Sequence, residues 1–294
     1  MTFPRESRSA VVSGASSGIG LACAKRLAED GFRVFAGVRQ ASDGRTLEAL
    51  GLEGLSPLTL DITEAESIAD ARRVVEQALR PAGLSLLVNN AGIVVPGSLE
   101  FLPISEIRRQ FEVNVFGHIA VTQAFLPLIR LGQGRIVNMG STGGTIAMPF
   151  IGPYNASKFA LEALTDALRL ELRPWGIPVS IVEPSFIETP LWEKTAARGE
   201  EMVQALPEEA HRLYGPAFAA VRNAYKRFGR RATPAGAVAD VVLHVATVKR
   251  PKTRYPVGRG AQMQLRVFAR LPQGLRDFLI ASFLARSRTD DRHP

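Results

Sequence analysis

One cysteine, four histidines and two tryptophans are all that 294 residues contain of these three types, and each scarcity removes a class of structure. With Cys23 alone no intrachain disulfide forms, and the chain suits a reducing compartment. Cys23 falls on the apolar side of an expected helix, so core packing is its expected role. His118, His211, His244 and His293 share no ligand spacing, and no metal site is expected. Internal repeats are lacking. The opening MTFPRESRS carries charge where a signal peptide or anchor needs an apolar run. No later apolar run is counted as reaching spanning length, so the expected location is cytoplasmic, soluble or peripheral to a membrane.

What is present points to one α/β domain over 1–294, with 46% hydrophobic residues to fill its core. The formal charge is +8 and the pI about 10.1, a balance that suits anionic partners. Arginines crowd YKRFGRRA and KRPKTRYPVGR. Zinc-finger spacing, an RNP-type strand and a separate basic arm are all missing, so no nucleic acid is expected.

Apolar runs of strand length fall at 10–14, 33–38, 58–61, 84–90, 134–140 and 178–184. Helical patterns at 18–30, 64–80, 104–130 and 154–173 alternate with them. This alternation predicts a Rossmann-type, doubly wound parallel sheet with helices on both faces, and ligands beyond the carboxyl ends of the strands. Residues 185–232 read as a helical lid without a clear strand. Thr233-Pro234 reads as an N-cap followed by proline at the first helical position, and 253–257 as a short strand. Within a C-terminal extension over 260–294, apolar and basic residues alternate, as in a closing helix or a membrane-surface contact.

SGASSGIG (13–20) sits between the first strand and the first long helix. Gly14 permits a tight turn, Gly18 close approach of a phosphate and Gly20 close helix packing, and the helix start offers free N–H groups to an anion. Ser16, Ser17 and Ile19 complete the loop. At the end of the second strand, Arg39 stands where an acidic residue would hold a ribose 2′-hydroxyl. A guanidinium suits a 2′-phosphate, so NADP(H) is expected over NAD(H). In YNASK, Tyr154 and Lys158 are four residues apart on one helical face, an arrangement in which an ammonium lowers a phenol's pKa toward working range.

With Asp61, NNAG (89–92), Asn114 in FEVNVFG, Ser141 and PSFIET (184–189) in the same order, the chain resembles the short-chain dehydrogenase/reductase family from Ala10 to about Thr189. The resemblance implies Tyr154 as proton donor or acceptor, Lys158 on the nicotinamide ribose and Ser141 on the substrate oxygen. It also implies Asn114 in a water relay toward Lys158. Asp61 and Ile62 would hold the adenine edge, Asn90, Ala91 and Gly92 would back the cofactor, and Pro184, Ile187 and Thr189 would flank its carboxamide. Family members usually pair through the helix that carries the tyrosine, so a homodimer or homotetramer is expected. Two positions depart from the pattern: Ser13 for threonine, and Ser185 for glycine, which places a side chain beside the nicotinamide.

Gly143, Met148, Pro149, Phe150, Phe186, Leu191 and Trp192 are the expected substrate pocket, mostly apolar or aromatic. The long segment after Thr189, the strand TRYPVG and the tail RLPQGLRDFL resemble the retinol and hydroxysteroid dehydrogenase branch, which implies a lipophilic alcohol or ketone. Reduction of small ketones or 3-oxoacyl thioesters is the alternative enzyme reading. A cofactor-sensing or scaffolding protein without turnover is the reading from another class.

Overall fold

The computed structural model describes residues 8–204, 206–229 and 232–287. Its strands are β1 (Ser9–Val12), β2 (Arg33–Val38), β3 (Leu55–Thr59), β4 (Leu86–Asn89), β5 (Arg135–Met139), β6 (Val179–Pro184), β7 (Ile187–Glu188), β8 (Thr233–Pro234) and β9 (Arg254–Val257). The helices are α1 (Gly18–Glu29), α2 (Ala41–Glu48), α3 (Ala65–Leu79), α4 (Ile104–Phe111), α5 (Gly117–Leu131), α6 (Gly152–Glu171), α7 (Pro190–Gln204), α8 (Glu208–Gly229), α9 (Ala235–Thr247), α10 (Ala261–Arg266) and α11 (Gln273–Ser287). Seven strands form a sheet in the order β3-β2-β1-β4-β5-β6-β9, every pair parallel. The order reverses between β1 and β4, which opens a crevice at their carboxyl ends.

The strands are hydrophobic throughout because both faces of the sheet are covered. On β1, Ala10 and Val12 join the core under α1 and α9, while Val11 points into the core under α3 and α5. Leu86 and Val88 on β4 repeat the first choice and Leu87 the second. Cys23 is fully buried in the first core, and burial pushes its thiol up to about 12, so it is inert packing.

Several expectations need correction. The helix expected over 104–130 is interrupted by a π-helical segment, Glu112–Phe116, between α4 and α5. Ile104–Leu131 is nonetheless long and apolar enough to cross a membrane, unlike the count made from sequence. Half of it is buried, with Val121, Phe125, Leu128 and Ile129 packed against the sheet, as in a core helix. Thr233 and Pro234 do precede a helix, α9, which starts at Ala235. They form β8, which pairs with β7 inside the segment read as strandless, and Pro234 is the N-cap of α9. The third strand starts three residues earlier than expected, and α2 follows β2 where no helix was expected.

Candidate active site

The glycine turn works by excluding side chains. Gly14 has φ +65°, and a Cβ there would lie 2.7 Å from Cα of Ala91. A Cβ on Gly20 would meet the Gly14 carbonyl oxygen at 2.1 Å, so α1 starts directly against the turn. Ser13 replaces threonine without loss of the hydroxyl's role: its Oγ accepts from the amides of Asn90 (2.9 Å) and Ala91 (3.1 Å), stitching β1 to the NNAG loop. The Asn90 side chain returns the contact by donating to the carbonyls of Ser13 (3.0 Å) and Gly14 (3.1 Å).

This turn forms one end of a cleft of about 920 Å³ at the crevice. Gly14, Ser16, Ser17, Gly18, Ile19, Gly20, Arg39, Asp61, Ile62, Asn90, Ala91, Gly92, Pro184, Ile187 and Thr189 all line it, and Ser141, Tyr154 and Lys158 lie at its other end. Arg39 is exposed and makes no ion pair among the described residues. The opening that the glycines keep clear and the amides at the start of α1 fit a dinucleotide.

At the reacting end, Ser141 caps a short 3-10 turn (Thr142–Gly144), its Oγ accepting from the Gly143 amide at 3.0 Å. Tyr154 follows the N-terminus of α6, is 8% exposed, and packs with Val94 and Ile151. Its phenol hydrogen-bonds Ser141, which lowers its pKa, but burial outweighs this and holds it above its ordinary value. The Lys158 ammonium donates to the Met139 carbonyl at 2.7 Å and lies 5.9 Å from the Tyr154 ring centroid. Burial pulls Lys158 itself down to about 8, against a smaller opposing pull from Glu162.

Asn114 sits in the π segment, fully buried. Its Oδ1 accepts from the Ile93 amide (2.9 Å), and its Nδ2 donates to the Ile93 carbonyl (3.0 Å) and to Ser157 Oγ (3.2 Å). It does not line the cleft, and it holds the loop after NNAG against α6. Sequence reasoning missed two neighbours that act in the same way. Gln110, buried, accepts from the Val95 amide (2.7 Å) and donates to the Ile93 carbonyl (2.8 Å). Asn155, inside YNASK, donates to the carbonyls of Gly143 (2.9 Å) and Ile146 (3.2 Å) and accepts from the Met148 amide (3.0 Å). Buried amides that satisfy several backbone groups fix a loop: Gln110 fixes the one after NNAG and Asn155 the turn after Ser141.

The expected pocket divides. Leu191 and Trp192 line the cleft; Phe150, Phe186 and Trp192 line a second cavity of about 1070 Å³ under α7 and α8. Phe186 stacks on Trp192 with centroids 4.7 Å apart, between the two spaces. Phe150 takes φ +65°, and its ring lies 4.5 Å from Phe218 and 6.1 Å from Tyr214 on α8. Gly143, Met148 and Pro149 line neither space, because Asn155 ties this turn back onto α6. Ser185 lines the cleft between Pro184 and Ile187, and its hydroxyl donates to the Arg259 carbonyl at 3.4 Å. Arg109, Lys194 and Arg198 also line the cleft, and no local motif signals them.

Behind Lys158 lies a charged cluster. Glu162, one turn further along α6, and Glu183 at the end of β6 share Arg254 of β9, whose other amino group donates to Asp166 at 2.8 Å. Glu183 is 2% exposed, and burial, reinforced by Glu162, holds its carboxyl at about 7. The unfolded chain releases this proton near pH 4.5, while the folded chain keeps it to about 7. Stability therefore falls as pH rises through that window. Glu183→Gln, which resembles the protonated form, is expected to match the parent's melting temperature at pH 5. At pH 8 it should exceed the parent by the equivalent of about 1–3 kcal/mol. Equal melting temperatures at pH 8 would mean that the fold does not hold the Glu183 carboxyl above its ordinary range. Among the described residues no group of His, Cys, Asp and Glu is arranged to hold a metal ion; His118 is buried with its ring nitrogen 2.6 Å from the Ala91 carbonyl, and His293 lies outside them.

A profile of the short chain dehydrogenase family matches residues 8–200. The 3-amino-tetrahydro-pyrrolizinone reductase of Xenorhabdus hominickii is 38% identical over 87% of this chain and 88% of its own length. Human 17-beta-hydroxysteroid dehydrogenase type 6 is 35% identical over 92% and 86%. Among solved structures, a short chain dehydrogenase from Burkholderia cenocepacia in complex with NADP superposes with a TM-score of 0.71 at 27% identity, covering 94% of this chain and 99% of that one.

Proposed function

The chain belongs to the short-chain dehydrogenase family of oxidoreductases, which use nicotinamide cofactors, and from that premise we propose that it is an NADP(H)-dependent enzyme acting on a lipophilic alcohol or ketone. The observation that carries this reading is the meeting of Ser141, Tyr154 and Lys158 at one end of a cleft whose other end holds the glycine turn and Arg39. The apolar cavity beyond Phe186 and Trp192, under α7 and α8 as a lid, supports the lipophilic half of the proposal. The steroid dehydrogenase among the relatives supports it too.

When bound, the nicotinamide supplies or takes up the hydride. The chain's own residues manage the oxygen. In reduction, negative charge develops on the substrate oxygen, and the Ser141 hydroxyl and the Tyr154 phenol converge there as donors. Tyr154 gives its proton, Lys158 holds the ribose and favours the phenolate that is left, and Asn114 keeps the loop after Gly92 in register with α6. The exposed Phe159 and Leu170 share one face of α6, which is the face we propose for pairing of two copies.

Titration with NADPH and NADH tests the cofactor half. Arg39→Ala is expected to weaken NADPH about 10- to 100-fold, the loss of a charge-assisted bond to the 2′-phosphate, and to leave NADH unchanged. Equal affinity of the parent protein for both cofactors would remove Arg39 from the site. Turnover with small polar ketones but with no steroid or retinoid substrate would overturn the lipophilic reading.

A further inference from the structure

The C-terminal helices display apolar surface that the fold does not use. On α11, Leu275, Phe278 and Leu279 fall at i, i+3 and i+4 and are exposed, Phe278 by 66%, whereas Arg276, Ile280, Phe283 and Leu284 are partly buried. α11 packs on α8, where Arg227 lies 5.6 Å from the Phe283 ring, and Arg276 donates to the Ala269 carbonyl at 3.4 Å. Met263 and Val267 make a similar exposed pair at the end of α10, with the exposed Arg266 beside them. A monomer that needed only to close its edge would bury one stripe of each helix and leave the other polar.

Charge decides what fits this surface. From 259 to 287 the chain carries five arginines against a single acid, Asp277. Arg259, Arg266 and Arg270 are exposed and form no ion pair among the described residues. A second copy of the same face would set these cations against one another. Exposed apolar side chains with unpaired arginines beside them match an interface whose interior is apolar and whose head groups are anionic.

We propose that α10 and α11 dock the protein onto anionic lipid, with Phe278, Leu279, Leu275, Met263 and Val267 entering the acyl boundary and Arg259, Arg266 and Arg270 on the head groups. The inference does not depend on the reading of the active site. Its position has a consequence for that site all the same. α11 lies on α8, and α8 lines the cavity under the lid, so the docked face is the outer side of the element that covers the cavity.

The test is flotation of the full chain with vesicles of phosphatidylcholine containing phosphatidylglycerol, and with vesicles of phosphatidylcholine alone. Binding to the anionic vesicles is expected, weakening as salt is raised, with about a fivefold loss for each arginine changed to glutamine. Phe278→Glu should abolish it while leaving the melting temperature unchanged, because the side chain is exposed. Failure to bind, or equal binding to both vesicles, would overturn the proposal. So would a parent protein that sediments as a dimer and a Phe278→Glu variant that sediments as a monomer, since the face would then belong to a second copy.

Discussion

Tyr154→Phe is expected to lower kcat for ketone reduction by about 10²- to 10⁴-fold, the range for loss of a positioned proton donor, while the Kd for NADPH stays within about threefold of the parent. The prediction separates chemistry from packing because the two side chains have the same shape. The ring of residue 154 packs with Val94, Ile151, Met148 and Leu191, and phenylalanine keeps those contacts. What disappears is the hydroxyl, its bond to Ser141 and its proton. A neutral melting temperature with lost turnover is the expected pair of results. A variant that kept more than about a tenth of the parent's kcat would show that another group, or water, delivers the proton.

Much of the cleft was legible because its signals are local. A glycine's freedom to leave out a Cβ, a strand pattern buried on both faces and a tyrosine one helical turn before a lysine each lie within a few residues. Their order then locates them at one end of the sheet. What escaped depends on partners distant in sequence. The π segment around Asn114 exists with its side chain bonded to both backbone groups of Ile93, 21 residues earlier in the chain. Gly143 and Met148 read as pocket residues because they follow Ser141, but Asn155 folds that turn away from both cavities. Thr233-Pro234 leads into α9 as its local form suggests, but its pairing with Ile187–Glu188 depends on residues far away in the chain. Ser185 lines the cleft as its position after Pro184 suggests, but that its hydroxyl donates to the Arg259 carbonyl 74 positions later is not visible locally.

The same limit bears on Lys158. Helical spacing told that Tyr154 and Lys158 share a face; it did not tell that burial opposes the charged form of both. A phenol that burial holds above its ordinary value is a poor partner for proton exchange at neutral pH unless its phenolate is stabilised by a nearby positive charge. Lys158 carries the nearest ammonium to the Tyr154 ring, and Glu162 behind it favours that ammonium against desolvation. Lys158→Met, similar in length and uncharged, is therefore expected to lower kcat about 10³-fold. It should also raise the Kd for NADPH, because the group assigned to the nicotinamide ribose is lost. That second effect distinguishes it from Tyr154→Phe. The pH profile gives a further readout. Since burial holds Lys158 at about 8, the charged fraction falls as pH passes that value, and kcat/KM for reduction should decline above it. Glu162→Gln removes the charge that supports the ammonium, so the decline should begin at lower pH. If Lys158→Met bound NADPH like the parent and turned over ketone at a comparable rate, neither the ribose contact nor the phenolate support could belong to Lys158, and the cluster of Glu162, Glu183 and Arg254 behind it would be structural alone.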